Sequence, residues 1–411
     1  MSTTKLWTKD FILIFIVNFF TFITFLLLMS VMSLFSIERF GATQGEAGLT
    51  TGIFVIATLF ARLFAGKYID LLGRRKLLYI SLIVFLSGSL LYFFITSLIG
   101  LYLVRVIHGL AFGIVSTATS TIVNDLIPDE KRGEGTGYFV MSANLAMAIG
   151  PFLGVILLQY FDFPLVFAVC CSFGMISLFG SFFIKISEVH LSKREREGVF
   201  RFRFRAFFEP AAIRISICMT MVTFTYASLL SFIFIYAENI GLDKVSSFFF
   251  IVYALVILIS RPFTGPRFDK YGENSVVYPS LLLLAIGFII VSQAHQGITF
   301  LLAAALIGVG FGTIQSSFQA IAVMSTHLPH RRALATSTYY IFLDMSNGFG
   351  PYLIGILLAF ISYREMYFIM GIISICCICL YYLLHGKKAQ KSKISSEKNR
   401  FIIEKKNLPS S

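Results

Sequence analysis

The sequence predicts an all-α integral membrane protein of twelve transmembrane helices, arranged as two parallel six-helix repeats. Three observations predict it. The 411 residues are 57% hydrophobic and only 13% charged, with a mean hydropathy of +0.83, far from the balance of a water-soluble domain. Apolar stretches of about twenty residues, the length a helix needs to cross roughly 30 Å of hydrocarbon, recur from near the N-terminus to Leu384. The second half of the chain also repeats the first.

The predicted spans are 11–35, 48–66, 77–96, 99–123, 138–160, 165–185, 213–237, 246–264, 276–294, 298–322, 334–360 and 364–385. They are too long and too uniformly apolar for barrel strands, which alternate over about ten residues. The first span follows Lys5 and Lys9, as a secretory signal would, but it is too long and no small-residue cleavage site follows it. It is expected to stay in the protein. The six cysteines, Cys170, Cys171, Cys218, Cys376, Cys377 and Cys379, all fall inside spans, where a disulfide framework or thiolate metal site is unusual, and they read as small packing residues. No metal and no cofactor is expected.

The net charge of +13 is unevenly placed, and the positive-inside rule turns that into an orientation. Lys5, Lys9, Arg74–Arg75–Lys76, Lys131, Arg132, the 186–212 segment, Arg267, Lys270, Arg331, Arg332 and the tail from Lys387 lie on alternate connections. The opposite connections carry little beyond Arg39, Lys244 and Arg364. Both termini are therefore expected in the cytoplasm, with the protein multi-pass in the cell membrane. Basic residues spread over membrane-flanking loops also exclude a nucleic-acid-binding domain. The expected divisions are an N-terminal bundle (1–185), a basic cytoplasmic linker (186–212), a C-terminal bundle (213–386) and a polar cytoplasmic tail (387–411). The linker carries Arg194 and Arg196 and alternates Arg201, Arg203 and Arg205 with Phe200, Phe202 and Phe204. That pattern suits a solvated linker or contact with anionic lipid.

An offset of 199 places the segment from Ala61 over that from Ser260 with five identities: Arg62/Arg261, Phe64/Phe263, Gly66/Gly265, Asp70/Asp269 and Gly73/Gly272. The same offset pairs Gly109, Phe112 and Gly113 with Gly308, Phe311 and Gly312. An offset of 200 pairs Glu38 with Glu238, Gly41 with Gly241, Arg132 with Arg332, Thr136 with Thr336, and Gly150–Pro151 with Gly350–Pro351. Six spans per copy make the repeats parallel about an axis along the membrane normal, an arrangement that lets two bundles rock around a site at their interface.

Several residues stand out within spans. Asp344 lies about ten residues, or roughly 15 Å, into span eleven, where a carboxylate suits reversible protonation; a substrate-cation contact or a structural ion pair are the other readings. Its repeat partner is Asn144. Arg105 lies in span four, where an arginine costs about 2.5–3.5 kcal/mol at mid-membrane and so needs a partner or water. His108, one turn on, either titrates or hydrogen-bonds within the bundle. Asn18, Phe22, Asn144, Tyr226, Gln315, Gln319 and Tyr339 are the candidate substrate-pocket groups. Glu38 and Glu238 sit at external helix ends and read as solvated, and His327 and His330, flanking Pro329, read as surface residues.

The stretch Gly66-Lys-Tyr-Ile-Asp70-Leu-Leu-Gly73-Arg74-Arg75-Lys76 resembles the signature between helices 2 and 3 of the major facilitator superfamily, and the resemblance extends over 1–385. Leu72 stands where a basic residue often precedes the second glycine. The residue types make sense as a cytoplasmic latch: Gly66 permits close helix approach, Asp70 can accept backbone N–H bonds at a neighbouring helix N-terminus, and Arg74 and Arg75 anchor the surface. Gly265, Asp269 and Gly272 repeat it. Arg105-Val-Ile-His108-Gly109 resembles the RxxQG segment of drug:proton antiporters, with His108 in place of glutamine. Gly150-Pro151-Phe-Leu-Gly154 resembles the antiporter segment of helix 5, echoed by Gly350-Pro351-Tyr-Leu-Ile-Gly355, and the resemblance associates it with export; a purely structural kink is the other reading.

The resemblance implies a proton-coupled secondary transporter exporting drug-like or amphipathic small molecules by alternating access. Its expected partners are substrate, protons and lipid, and its expected unit is a monomer. A specific metabolite carrier, for sugar or metallophore export or for uptake by symport, is the alternative, followed by a receptor on a transporter scaffold. There is no Gly-x-x-x-x-Gly-Lys-Ser/Thr phosphate loop for ATP drive and no Ser/His/Asp arrangement for catalysis.

Overall fold

The computed structural model describes residues 5–188, 207–326, 328, 331–387 and 389. The Arg/Phe alternation of the linker, His327, Pro329, His330 and the tail beyond 389 lie outside them. Among the described residues the chain forms twelve long helices. These are α1 (Lys9–Phe40), α2 (Gln44–Leu72), α3 (Arg74–Leu91), α4 (Leu98–Leu126), α5 (Arg132–Tyr160) and α6 (Phe163–Phe182) in the first half. The second half forms α7 (Pro210–Asn239), α8 (Asp243–Tyr271), α9 (Asn274–Ser292), α10 (Gly297–Met324), α11 (Arg332–Leu357) and α12 (Tyr363–Tyr381).

Eleven of the twelve are long and apolar enough to cross a membrane. The exception, α11, is diluted by Thr336, Ser337, Thr338, Asp344, Ser346 and Asn347 because it faces the other half of the protein as well as lipid. The chain is a multi-pass membrane protein. Four cysteines are buried as packing residues, whereas Cys376 and Cys379, also inside a span, are exposed on the α12 surface, which corrects the reading of all six as packing residues.

The stretch read as a loop at 66–72 is the last two turns of α2, and 265–271 is the end of α8. Each helix continues past its apolar run until a glycine at positive φ, Gly73 at 92° and Gly272 at 83°, reverses the chain into the next helix. Side chains bearing Cβ rarely adopt that backbone. At α3 the freed N–H groups of Arg74 and Arg75 donate to Glu188 at 2.8 and 2.9 Å.

Within the halves, α1 packs on α5 and α6, α2 on α4, and α3 on α4 and α6, matched by α7 on α11 and α12, α8 on α10, and α9 on α10 and α12. Two seams join the halves, α2 against α11 and α5 against α8. Both are tight at the end of the bundle bearing Arg74, Arg132 and Arg332, termed here the basic end. A Cβ on Gly66 would lie 2.1 Å from Ser337 Cβ, and one on Gly265 would lie 2.6 Å from Glu134 Cα. At the other end of α2 and α11, Gly48, Gly52 and Gly355 have nothing within 4 Å. The bundle is closed at its basic end and parted at the opposite one.

Leucine at Gly66 should lower the thermal unfolding midpoint of the purified protein by several degrees, matching an overpacking cost of about 1–3 kcal/mol. Leucine at Gly52 should leave it unchanged; equal shifts would show that the seam is not closed at Gly66.

Candidate functional site

Between the halves lies a cavity of about 200 Å³ that is partly open to solvent. The first half lines it with Asn18, Phe22, Phe25 and Met29 of α1, Thr58 and Arg62 of α2, Phe112 of α4 and Met147 of α5. The second half adds Tyr226 of α7, Phe311 and Gln315 of α10, and Tyr340, Asp344 and Asn347 of α11. The aromatic wall follows from helical spacing: Phe25 stacks on Phe54 and Phe112 with centroids 5.0 and 4.5 Å apart, and Tyr226 on Phe311 at 3.9 Å.

Little in this wall is free to bond a polar ligand. Asn18 Nδ2 donates to Ser142 Oγ at 2.8 Å and its Oδ1 accepts from Thr119 at 3.0 Å, while the Thr58 hydroxyl donates to the Phe54 carbonyl. Gln315 Oε1 and Asn347 Oδ1 have no partner among the described residues.

The charges in the wall are Arg62 and Asp344. Arg62 Nε approaches Asp344 Oδ2 at 2.6 Å, off the hydrogen-bond line, which makes the contact an ion pair across the α2/α11 seam. The arginine side chain is 2% exposed and the carboxylate 15%, so the carboxylate is the more open of the two. The guanidinium is further held over the Tyr340 ring at 4.4 Å, and Tyr340 Oη bonds to Ser120 of α4 at 2.9 Å. A guanidinium cannot shed its proton, so Arg62 supplies a fixed charge and Asp344 a changeable one.

Below the cavity, toward the basic end, successive layers of bonds close the halves. Gln319 and Tyr340 meet Ser120, Asn124 Nδ2 donates to Thr336 at 3.3 Å, and Ser337 donates to the Arg62 carbonyl at 2.5 Å. Outermost, Asp269 accepts from the Gly133 and Glu134 N–H groups at the start of α5, at 2.6 and 2.9 Å. That is the helix-terminus bond expected of Asp70. Asp70 itself is engaged by Arg74 at 2.5 Å, and Arg74 also bonds Asp125. Arg332 stands 3.8 Å from both Asp125 and Asp129. Arg75 is exposed and donates to Tyr79 at 3.1 Å. The two latches share residues without sharing bonds.

The remaining candidates lie away from the cavity. Asn144 is buried behind its wall with both amide atoms unpartnered among the described residues, Gln319 belongs to the Ser120 layer, and Tyr339 donates to the Gln315 carbonyl at 2.7 Å. Arg105 is buried in the first half, donating to the Thr50 carbonyl at 2.9 Å with its guanidinium 4.4 Å above Phe54. His108 sits between Tyr92 Oη at 3.1 Å and Ser89 Oγ at 3.5 Å. The glycines of the Gly-Pro segments pack within halves: Gly150 and Gly154 against α1, and Gly350 against Ala227 of α7, whereas Gly355 is free. Pro151 and Pro351 lie inside α5 and α11, which run through them as single helices.

Sequence reasoning missed Arg62 as a wall residue. Its signal was present, an arginine inside a span and repeated as Arg261, but its partner lies 282 positions away and only packing reveals it. Removing one member of a buried pair typically costs roughly 3–5 kcal/mol. Asp344→Asn should destabilise the purified protein more than Arg62→Gln, since an orphaned carboxylate can take up a proton. The double variant should melt above Asp344→Asn; additive losses would mean the pair is not coupled.

A family model described as Major Facilitator Superfamily matches residues 14–328 and 320–409. An uncharacterized MFS-type transporter of Methanocaldococcus jannaschii is 24% identical over 387 residues, covering 91% of this chain and 98% of that one. The staphylopine export protein of Staphylococcus aureus is 22% identical over 84% of this chain and 88% of its own. Multidrug resistance protein 2 of Bacillus subtilis is 22% identical over 75% and 79%. Among solved structures, the human organic anion transporter MFSD10 superposes with a TM-score of 0.70 at 15% identity, covering 90% of this chain and 98% of that one, which speaks to fold alone. These are transporters, not enzymes. The chain is a transporter that belongs to the major facilitator superfamily.

Proposed function

We propose that this carrier exports drug-like or amphipathic small molecules from the cell in exchange for protons, with its basic end and both termini in the cytoplasm. The observation that carries the reading is the Arg62–Asp344 pair, a fixed cation and a titratable carboxylate, in the wall of an otherwise aromatic and aliphatic cavity between the halves. In the outward-open arrangement the ionised carboxylate ties α11 to α2. A proton arriving from outside neutralises Asp344, weakens the pair and lets the cytoplasmic latches part; its release inside restores the attraction. Each charge crossing 100 mV of membrane potential supplies about 2.3 kcal/mol, enough to drive appreciable accumulation.

Scarce free hydrogen-bonding groups favour amphipathic substrates over sugars, whose hydroxyls would go unsatisfied. The multidrug-resistance relatives point the same way. Export of one specific metabolite is the second reading, favoured by the staphylopine export relative.

In vesicles carrying an imposed pH gradient, Asp344→Asn should lose gradient-driven transport of compounds that the parent protein moves; full activity in that variant would overturn the coupling role. A growth-inhibition panel with and without expression separates the two substrate readings. Protection against several unrelated amphiphiles supports the first, and protection confined to one compound supports the second.

A further inference from the structure

Because the halves repeat, every residue of the α2/α11 seam has a twin in the α5/α8 seam. Arg62 corresponds to Arg261, Asp344 to Asn144 and Ser337 to Gly137. The twins behave differently. Arg62 reaches across the seam to Asp344. Arg261, 2% exposed, turns instead to α10 of its own half, where Nη1 donates to Ser316 Oγ at 2.5 Å and Nη2 to the Gly312 carbonyl at 2.9 Å. On α5, Asn144, the twin of Asp344, is 1% exposed and has neither amide atom partnered among the described residues. A neutral amide lacks the charge to draw a guanidinium away from a hydroxyl and a carbonyl; a carboxylate has it, as the first seam demonstrates.

We infer that Asn144 is the neutral counterpart of the Asp344 proton site, and that its neutrality restricts the switch between the two states of this carrier to a single proton, bound at Asp344. The inference rests on the proton-carrying role proposed for Asp344 and adds the count. The titratable and charged groups facing Asp344 are Arg62 from α2, Tyr226 from α7 and Tyr340 on its own helix, while α4 and α10 present Phe112, Phe311 and Gln315. Around Arg261 the phenols of Tyr138 and Tyr253 are the titratable neighbours. His108 faces Ser89 and Tyr92, away from both seams. Asp70, Asp125, Asp129 and Asp269 lie at the basic end, where opening exposes them to water, and carboxylates in water stay ionised near neutral pH. One proton per switch makes exchange for a monocation electroneutral, and export of a neutral molecule moves one charge inward.

The count can be read without a substrate. Spin labels at Leu49→Cys of α2 and Leu353→Cys of α11, both exposed near the parted end, report the separation of that end in purified full-length protein. The background carries Cys376→Ser and Cys379→Ser. By linkage, the slope of the logarithm of the population ratio against pH equals the number of protons taken up. Protons bind preferentially where the pair is broken, so low pH favours the short label distance of the latch-open state.

The expected slope for the parent protein is up to about tenfold per pH unit between pH 5 and 9, and flat for Asp344→Asn. Asn144→Asp should steepen it toward about a hundredfold as Arg261 is drawn across. If that variant does not fold, the exchange variant Asn144→Asp/Asp344→Asn, with one pair in the other seam, should recover the tenfold slope. A hundredfold slope in the parent protein overturns the single-proton count alone. An unchanged slope in folded Asn144→Asp overturns the role of Asn144. A flat parent slope overturns the proton-carrying role of Asp344 and the count with it.

Discussion

The structure depends on one buried contact between a charge that cannot change and a charge that can. Arg62 is held in place by Tyr340 and by helix packing, and Asp344 lies against it with one edge open to the cavity. In a low-dielectric setting neither charge is stable without the other. The pair sits at a seam between two otherwise lipid-compatible bundles.

The closure beneath the cavity is layered, from the hydroxyl and amide bonds of Ser120, Tyr340 and Gln319 to the Asp269 bonds at the start of α5. Each bond is modest, about 0.5–1.5 kcal/mol for a neutral pair, and each donor or acceptor can be met by water when the end opens. Such a seam can part without a large uncompensated loss. In the proposed cycle the charge state of the ion pair above it biases which end opens. Glycines supply the proximity this requires: at Gly66 and Gly265 any side chain would overlap the opposing helix.

Much of this was legible in the sequence because membrane helices write long signals. Twelve apolar runs gave the helices, the repeat gave the parallel halves, and a carboxylate deep in span eleven singled out Asp344. The boundaries were less legible, since α2 and α8 extend beyond hydrocarbon as polar helical turns until Gly73 and Gly272. The facing of polar residues was not legible at all. Asn18, Phe22, Tyr226 and Gln315 line the cavity while Asn144, Gln319 and Tyr339 stand behind it, and all seven look alike as polar or aromatic groups within apolar helices. The pairing of Asp70 with Arg74 was likewise not legible. Its twin Asp269 bonds backbone N–H groups, whereas Asp70 is captured by Arg74 one turn away, a local competitor that the second copy lacks because Glu273 occupies the twin position of Arg74.

The central claim is that Asp344 changes charge as the carrier changes shape. Infrared difference spectra of the purified protein, with aspartate carbon-labelled to identify its carboxyl band, test this directly when collected in the two arrangements and compared with Asp344→Asn. The account predicts a protonated-carboxyl band that appears with the latch-open arrangement, shifts with the label and is missing in the variant. An identical band in both arrangements, or one that survives the substitution, would contradict it.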